Sequence, residues 1–227
     1  MTDAAAIQSE FDRLAAIEAL ATFSHTDVYF PWLLGQLPHH ATDLAEVGCG
    51  SGALTALLAP IASRLRAIDL SPAMLELART RCVQWCHIAF EQVDANTWDP
   101  EPQSLDAIVS VATLHHLDPG VVLPRWVAAL RPGGMLLVLD VLTRRGLSHL
   151  PVNALAALSS RWLRWHRTGR LREDPRVSDA WEAHARFDRL PTIGGAQEMA
   201  RAYVPGARVR HHLLWRYSIQ YRAPGPA

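Results

Sequence analysis

The chain has few cysteines, no excess of charge of either sign and no long apolar run. Its 227 residues include three cysteines, which form no disulfide framework. Lys and Arg number 22, as do Asp and Glu, so the charge balance provides no attraction to nucleic acid or to an acidic membrane surface. No window approaches the ~18 apolar residues of a membrane span, and the N-terminus lacks the features of a signal peptide. These absences favour a protein of the reducing cytoplasm.

Cysteine and histidine approach each other in sequence at one place. Cys82, Cys86 and His87 are close enough to suggest a metal site, but no second pair of ligands follows them. Cysteine also serves as a small buried apolar residue, and that role is favoured here. We therefore predict that the protein holds no metal.

Apolar strands alternate with helices along the first two thirds of the chain. The stretches "DLAEVG", "RLRAIDL", "HIAFEQVDA", "LDAIVSVAT" and "MLLVLDVL" predict five strands. Between them, "SPAMLELARTRC" predicts a helix with Ser71 as N-cap and Pro72 in its first turn. A second helix, "VVLPRWVAALRPGG", is expected to end at its glycines. This alternation predicts an α/β fold with a doubly wound parallel sheet.

The two ends of the chain differ from this alternating part. Residues 8–22 have helical apolar spacing, and a short helix is predicted at Pro31–Leu37. A helical region rich in Trp and Arg follows the fifth strand, and "ARVRHHLLWRYSIQYRA" then predicts two late strands at an antiparallel edge. We predict one domain over residues 1–227, composed of a helical cover, a core, a helical substrate region and terminal strands (1–40, 41–142, 143–200 and 201–222).

A glycine-rich turn separates the first strand from the next helix. The stretch "GCGSGA", residues 48–53, matches G-x-G-x-x-A, the dinucleotide-binding fingerprint. It equally matches G-x-G-x-G, the turn that lies beneath S-adenosylmethionine in class I methyltransferases. The turn alone leaves both ligands open.

Acidic residues stand at the ends of the first three predicted strands. Glu46 lies two residues before the first glycine, where a carboxylate suits a cationic ligand group and would repel a pyrophosphate. Asp69 ends the second strand and can accept both hydroxyls of a ribose, which either ligand would provide. Asp94 ends the third strand and can accept from an adenine amine. The three acids favour a nucleoside ligand that carries positive charge.

Five motifs stand in the order of a known family. They are "EVGCGSG", "AIDLSPAMLELAR", "FEQVDA", "LDAIVSVATLHHL" and "LRPGGMLLVLDV". From about Phe23 to Arg222, the chain resembles the class I S-adenosylmethionine-dependent methyltransferases of the bacterial small-molecule type. The resemblance implies a Rossmann-like, mostly parallel seven-stranded sheet with an antiparallel edge strand, an N-terminal helical cover and a helical insertion before the last strands. It also implies S-adenosylmethionine as cofactor and methyl transfer to a small molecule.

The resemblance assigns roles to individual positions. Glu46 and the backbone of the glycine turn would hold the methionine portion, Asp69 the ribose and Asp94 the adenine edge. The stretch "HTDVYFPWLL" resembles a segment that folds over the cofactor, although Phe30 stands where family members often carry histidine. The implied cofactor-binding set is His25, Tyr29, Glu46, Gly48, Cys49, Gly50, Gly52, Asp69, Leu70, Met74, Asp94, Ala95, Val111 and His116.

Methyl transfer from a sulfonium has a good neutral leaving group, so alignment and exclusion of water are the main tasks. A base is needed only where the acceptor must lose a proton. His115 and His116 follow the fourth strand, at the edge where open α/β sheets bind ligands, and Tyr29 is a third candidate. For each of these catalytic candidates, a structural or cofactor contact is the alternative. His184 has no motif around it and is interpreted as structural.

Three tryptophans lie in the helical region after the fifth strand, which commonly forms the substrate wall in the family that the chain resembles. Aromatic side chains there suit a flat or apolar substrate. Trp162 is assigned to the core, whereas Trp165 and Trp181 are left open between the core and the substrate wall.

Four alternatives stay open. The first is a nucleic-acid or protein methyltransferase; a nucleic-acid enzyme would be expected to carry a basic face or a binding module, and none is visible in the sequence. The same scaffold could use another carbon of the sulfonium, in a cyclisation or an aminocarboxypropyl transfer. A nicotinamide oxidoreductase is opposed by Glu46 and Asp94, and a non-enzymatic binding protein by the complete motif set. We predict a small-molecule substrate and neither a nucleic-acid nor a membrane partner; monomer and homodimer are both open.

Overall fold

The computed structural model describes residues 4–21, 24–38, 41–143, 150–170, 172–185 and 188–225. Seven strands form one sheet in the order β3-β2-β1-β4-β5-β7-β6. The strands are β1 (Ala41–Val47), β2 (Ala62–Asp69), β3 (Ile88–Gln92), β4 (Leu105–Val111), β5 (Leu130–Val141), β6 (Arg208–His212) and β7 (Arg216–Arg222).

Strands β1 to β5 are parallel, and β7 is antiparallel to both β5 and β6. The mostly parallel Rossmann-like sheet with an antiparallel edge is therefore confirmed. Strand order reverses between β1 and β4, and ligands of open α/β sheets bind outside the carboxyl ends of the strands at such a point. The turn that follows β1 and the turn that follows β4 meet at that place.

Helices cover both faces of the sheet. They are α1 (Ala4–Ala15), α2 (Phe30–Leu34), α3 (Thr55–Leu58), α4 (Pro72–Arg81), α5 (Pro119–Ala129), α6 (Leu150–Thr168), α7 (Pro175–His184) and α8 (Ile193–Tyr203). None of the helices in the described ranges has both the length and the apolar character that crossing a membrane requires.

Neighbouring residues of the central strands enter different apolar clusters, because successive side chains of a strand point to opposite faces. Ile108 packs with Trp126 of α5 in one cluster. Val109 packs with Leu33 of α2 and Leu58 of α3 in the other. Burial on both faces explains why the strand around these residues is almost wholly apolar in sequence.

The predicted start of α4 is confirmed. Ser71 has extended backbone and accepts a hydrogen bond from the amide of Met74 at 3.1 Å, while Pro72 occupies the first helical position. This cap satisfies one of the amides that a helix N-terminus leaves without a partner in the helix. It also fixes where α4 begins, directly after the carboxyl end of β2.

Some predicted boundaries were wrong. Helix α5 ends at Ala129, and the glycines expected to stop it, Gly133 and Gly134, lie inside β5. The physical reason is an irregularity in the pairing of β4 with β5, which lets strand pairing begin at Leu130 before the glycines and resume after them. The predicted helix over 8–22 is α1 followed by a 3₁₀ turn at Glu18–Leu20.

Candidate active site

The glycine turn after β1 packs closely against its neighbours on two sides. A Cβ atom on Gly48 would lie 2.0 Å from Thr113 Oγ1, in the turn after β4. A Cβ on Gly52 would lie 2.9 Å from the Cα of Ala78 in α4. Both glycines therefore allow the turn to fit between the end of β4 and helix α4. Cys49, between them, is buried.

Gly50 differs from these two glycines. Its φ angle is +52°, in the left-handed region, yet a Cβ placed on it would meet nothing within 4 Å. The turn thus presents bare backbone to open space at its centre. A ligand can approach the chain there more closely than any side chain would allow.

Glu46, the penultimate residue of β1, is almost fully buried and accepts a hydrogen bond from Thr55 Oγ1 at 2.6 Å. Burial raises the pKa of Glu46 to about 8 against the opposing effect of this hydrogen bond, and the charge of Asp69 adds to the rise. This edge of the sheet therefore holds a carboxyl group whose burial favours its neutral form.

Asp69, the last residue of β2, joins the glycine turn to helix α4. One carboxylate oxygen accepts from the amide of Gly50 at 2.8 Å, and the other accepts from the amide of Ser71 at 2.9 Å. Burial raises the pKa of Asp69, and the backbone hydrogen bonds oppose that rise. Because each carboxylate oxygen has a second lone pair, both can still accept a hydroxyl.

Asp94 lies two residues beyond the end of β3, and its carboxylate accepts from the backbone and side-chain amides of Asn96 at 2.9 and 3.1 Å. The neighbouring Ala95 is buried. Met74 is buried in the first turn of α4, while Leu70 is partly buried just before it. The acids at the carboxyl ends of β1, β2 and β3 thus lie at one edge of the sheet, as parallel pairing requires.

The N-terminal helix covers this edge through contacts that the sequence analysis missed. Ser71 Oγ donates to Asp12 at 2.5 Å, and Ser51 Oγ donates to Glu18 at 2.7 Å. Leu14 of α1 packs against Met74. Asp12 and Glu18 lie on the polar side of a segment that the sequence identifies only as amphipathic. The local sequence therefore does not indicate which residues they bond to.

His25 and Tyr29 lie beside the turn between β6 and β7. His25 Nε2 is 2.5 Å from Ser160 Oγ, and its ring contacts Trp215. The Tyr29 hydroxyl donates to the carbonyl of Leu213, and burial raises the pKa of Tyr29. The cofactor-binding roles of both residues, and the catalytic role of Tyr29, stay predictions.

The turn after β4 carries backbone strain. Val111 is the last residue of β4, and Ala112 has a φ angle of +52°, which is unfavourable for a residue with a side chain. Thr113 follows and donates to the carbonyl of Val111 at 3.0 Å. Strained backbone of this kind collects at functional sites, and here it adjoins the glycine turn.

Beyond this turn, His115 is fixed by Asp140 of β5. Its backbone amide donates to one oxygen of Asp140 at 2.8 Å, and its Nδ1 lies 2.6 Å from the other. Burial by itself lowers the pKa of His115, but the charge and hydrogen bond of Asp140 outweigh it and raise the pKa to about 9. Burial and the charges of neighbouring histidines lower the pKa of His116 to about 3.

His116 adjoins residues from the helical region that the sequence analysis did not connect with it. His116 Nε2 is 3.3 Å from His184 Nε2 and 4.0 Å from Asp188 Oδ1. Phe11 of α1 contacts the rings of His116 and His184. Nothing in the local sequence around His184 or Asp188 indicates this meeting, because it joins segments that are distant along the chain.

All three tryptophans of the helical region are exposed to solvent. Trp162 is 58% exposed, so its assignment to the core was wrong. It lies on the outer side of α6, where its ring contacts His166. Trp165 and Trp181 are 53% and 44% exposed, and Trp181 contacts His184 edge-on. Among these three, Trp181 is therefore the one in contact with His184.

Similarity to known proteins was found in sequence and in structure. Residues 44–134 match a family model described as a methyltransferase domain. An uncharacterized methyltransferase of Mycobacterium bovis is 30% identical over 211 residues, which are 88% of this chain and 97% of that protein. The trans-aconitate 2-methyltransferase of Methylobacterium radiotolerans is 44% identical over 111 residues, 47% of this chain and 41% of that protein.

A solved structure resembles the whole described fold. It is the N-methyltransferase NodS from Bradyrhizobium japonicum WM9 in complex with S-adenosyl-l-homocysteine, with a TM-score of 0.64. The match covers 96% of this chain and 98% of that chain at 19% sequence identity. At that identity the likeness is one of fold.

Proposed function

The chain belongs to the class I S-adenosylmethionine-dependent methyltransferases, and from this we propose that it methylates a small-molecule acceptor. Membership of this family follows from the methyltransferase of Mycobacterium bovis, which is 30% identical over 97% of its own length. The observation that carries the proposal is the open backbone at Gly50, which donates to Asp69 and lies at the edge of the sheet where the first three strands end in acids.

The residues of this edge fit S-adenosylmethionine. We propose that Glu46 faces the ammonium group, Asp69 the ribose hydroxyls and Asp94 the adenine amine, while Gly50 lets the ligand lie against the backbone. A buried carboxyl with a raised pKa suits a cation, because the cation replaces the lost hydration. A pyrophosphate carries no positive charge that could stabilise the ionised form of this carboxyl group.

When bound, S-adenosylmethionine supplies a methyl group activated by a sulfonium. What the chain supplies is position and exclusion of water. Asp69 holds the glycine turn to α4 through the amides of Gly50 and Ser71. Asp12 and Glu18 hold the N-terminal cover against the same elements. In this proposal an acceptor is aligned in line with the methyl group beneath that cover.

A general base is not needed for an acceptor that reacts without losing a proton. His115, His116 and Tyr29 stay predicted as candidates for that role. Their observed contacts are with Asp140, with His184 and Asp188, and with the Leu213 carbonyl respectively. The proposed function therefore rests on cofactor binding and alignment.

The charge balance supports a small acceptor over a nucleic acid, because 22 basic and 22 acidic residues provide no net attraction to phosphates. Nearly half of the chain is similar to a trans-aconitate 2-methyltransferase, an enzyme whose name contains that of a small carboxylic acid. We infer an acceptor of that size, without fixing the accepting atom.

Two matched substitutions test the cofactor site. Gly50→Ala and Gly206→Ala both put a Cβ at a positive φ with nothing within 4 Å, and Gly206 lies far along the chain, between α8 and β6. Each should lower the free energy of unfolding by about 1–2 kcal/mol, the cost of left-handed backbone. Gly50→Ala alone should weaken S-adenosylhomocysteine binding in calorimetry, by more than about tenfold, or 1.4 kcal/mol. Equal affinity of the two variants for S-adenosylhomocysteine would contradict the placement of the cofactor against Gly50.

The reaction itself is tested by its products. The full chain is incubated with S-adenosylmethionine and a panel of small carboxylic acids, amines and phenols. Acceptor-dependent formation of S-adenosylhomocysteine supports methyl transfer. Methylthioadenosine as the product would instead support aminocarboxypropyl transfer or cyclisation, the alternative use of the sulfonium.

A further inference from the structure

Three imidazoles and one carboxylate converge where the end of β4 meets the helical region. Asp188 Oδ1 lies 3.6 Å from His115 Nε2, 4.0 Å from His116 Nε2 and 3.7 Å from His184 Nε2. The Nε2 atoms of His116 and His184 are 3.3 Å apart. We call these four residues the histidine–aspartate cluster.

The distances to Asp188 are too long for hydrogen bonds, which need about 2.7–3.2 Å between heavy atoms. They resemble the separations between ligands of one ion. Bonds of about 2.0–2.1 Å to zinc place two ligand atoms of a tetrahedron about 3.3–3.4 Å apart. A contraction would therefore bring the ligand atoms of His115, His116 and Asp188 onto a common ion, and His184 Nε2 lies 3.7 Å from Asp188 and 3.3 Å from His116.

Burial makes the arrangement costly without such an ion. The side chains of His115, His116 and His184 are about 95% buried, and that of Asp188 is 85% buried. Asp188 Oδ1 accepts no hydrogen bond from any residue in the described part of the chain. A buried carboxylate oxygen without a donor at hydrogen-bond distance loses hydration that only a nearby positive charge can offset.

Asp140 supplies for one of the three histidines, His115, the outer contact that metal-binding histidines usually have. Histidine ligands usually donate their second ring nitrogen to a carboxylate or carbonyl, which fixes the ring and leaves the other nitrogen free to bind. Nδ1 of His115 lies 2.6 Å from Asp140, which is fully buried, so Nε2 points toward Asp188. This contact is independent of the distances within the cluster.

We propose that the histidine–aspartate cluster binds one divalent transition-metal ion of the zinc class. His115, His116 and Asp188 are the primary ligands, since their ligand atoms all lie within 4.8 Å of one another, and His184 is the fourth. Imidazole nitrogen with one carboxylate in a tetrahedral arrangement suits Zn²⁺. The proposal reverses the sequence-based expectation of no metal and excludes His115 and His116 as general bases. It does not depend on the proposed methyl transfer.

The ion would join two parts of the fold. His115 and His116 belong to the 3₁₀ turn after β4, whereas His184 ends α7 and Asp188 follows four residues later. Four protein ligands leave no open position, which is typical of structural rather than catalytic zinc. The ion would therefore fix the helical region against the ligand-binding edge of the sheet.

The test uses the full chain, freed of any affinity tag and treated with a chelator, then titrated with Zn²⁺ in a calorimeter. We expect one equivalent to bind, with Asp188→Asn weakening the affinity by more than about tenfold. His166→Ala, at an exposed histidine of α6, is the matched control and should bind as the wild type does. Absence of saturable binding, or equal affinity in Asp188→Asn, would overturn the proposal.

A second measurement keeps the result decidable if Asp188→Asn does not fold. Co²⁺ is bound in place of Zn²⁺, and its visible absorption reports the number and geometry of its ligands. His184→Ala should weaken Co²⁺ binding and change the spectrum, whereas His166→Ala should do neither. A Co²⁺ spectrum that is unchanged in His184→Ala would remove His184 from the site and refute the four-ligand assignment.

Discussion

Glu46→Gln should have opposite effects on the free protein and on its complex with the cofactor. In the free protein, burial raises the pKa of Glu46 from its ordinary 4.5 to about 8. The folded chain then keeps a proton that the unfolded chain releases as the pH rises above about 4.5. Stability linked to this proton is fully present below pH 4.5 and is lost progressively up to about pH 8. The amide that replaces the carboxyl group in the variant has no such proton to lose.

The size of the effect follows from the difference between the two pKa values. Each pKa unit corresponds to about 1.36 kcal/mol, so a rise from 4.5 to about 8 corresponds to at most about 5 kcal/mol of stability lost across that interval. Thr55 Oγ1 can donate to the amide oxygen of the variant as it does to the carboxyl group of Glu46, and the cost of burying the new amide does not vary with pH. The pH dependence therefore isolates the carboxyl group.

Stability is measured by denaturant unfolding at pH 5 and pH 9 for the wild type, Glu46→Gln and Glu101→Gln. Glu101 is exposed in the loop before β4 and is the matched control. Titration of all other groups cancels when the pH-dependent changes are compared between proteins. The wild type and the control should lose more stability than Glu46→Gln, by about 1.4 kcal/mol or more.

Cofactor binding supplies the second half of the test. At pH 7, a pKa of about 8 leaves Glu46 roughly nine-tenths protonated. Facing an ammonium group, the carboxyl should ionise and release that proton. Calorimetry with S-adenosylhomocysteine in two buffers of different ionisation enthalpy counts the protons released. We expect near one for the wild type, almost none for Glu46→Gln, and weaker binding by the variant.

Equal pH dependence of stability in the wild type and Glu46→Gln would refute the raised pKa of Glu46 in the free protein. Equal proton release by the two proteins would refute the placement of the ammonium beside Glu46. The two outcomes are separable, because the first concerns the free protein and the second concerns only the complex.

Two further substitutions test how the glycine turn and helix α4 are held. Gly52→Ala should lower the free energy of unfolding by about 2–4 kcal/mol in denaturant titration, because its Cβ would lie 2.9 Å from backbone of α4 at a φ angle of +78°; a loss below about 1 kcal/mol would contradict the packing described. Ser71→Ala should cost about 1 kcal/mol as a lost N-cap. It should also speed amide exchange in α1, whose Asp12 accepts from Ser71 Oγ, and unchanged exchange there would show that this bond does not hold the cover.

The sheet could be predicted because the apolar composition of each central strand reflects how many of its faces are buried. β4 is apolar along nearly its whole length, since both of its faces are covered. The glycines of "LRPGG" misled the prediction because glycine marks helix ends and strand irregularities alike. Only the pairing of Leu130 with Leu105 decides between the two, and that pairing joins residues distant in sequence.

The acids of the candidate site could be found for a topological reason. Parallel strands bring their carboxyl ends to one edge, so Glu46, Asp69 and Asp94 were expected to lie there before any distance was known. No such rule predicts the positions of Asp188 and His184, because both residues follow the last parallel strand. Their positions depend on how the helical region packs on the sheet, and local sequence does not encode that packing.

Helix α1 contacts both the proposed cofactor edge and the histidine–aspartate cluster. Through Asp12 it bonds to the start of α4 beside the cofactor edge, and through Phe11 it covers His116 and His184. Moving α1 away to admit a ligand would therefore break contacts at both places. An ion that orders His184 would also hold the surface on which Phe11 rests, so metal loading should favour the closed cover. Because linkage is reciprocal, a bound cofactor that orders α1 should in turn strengthen metal binding by the same factor.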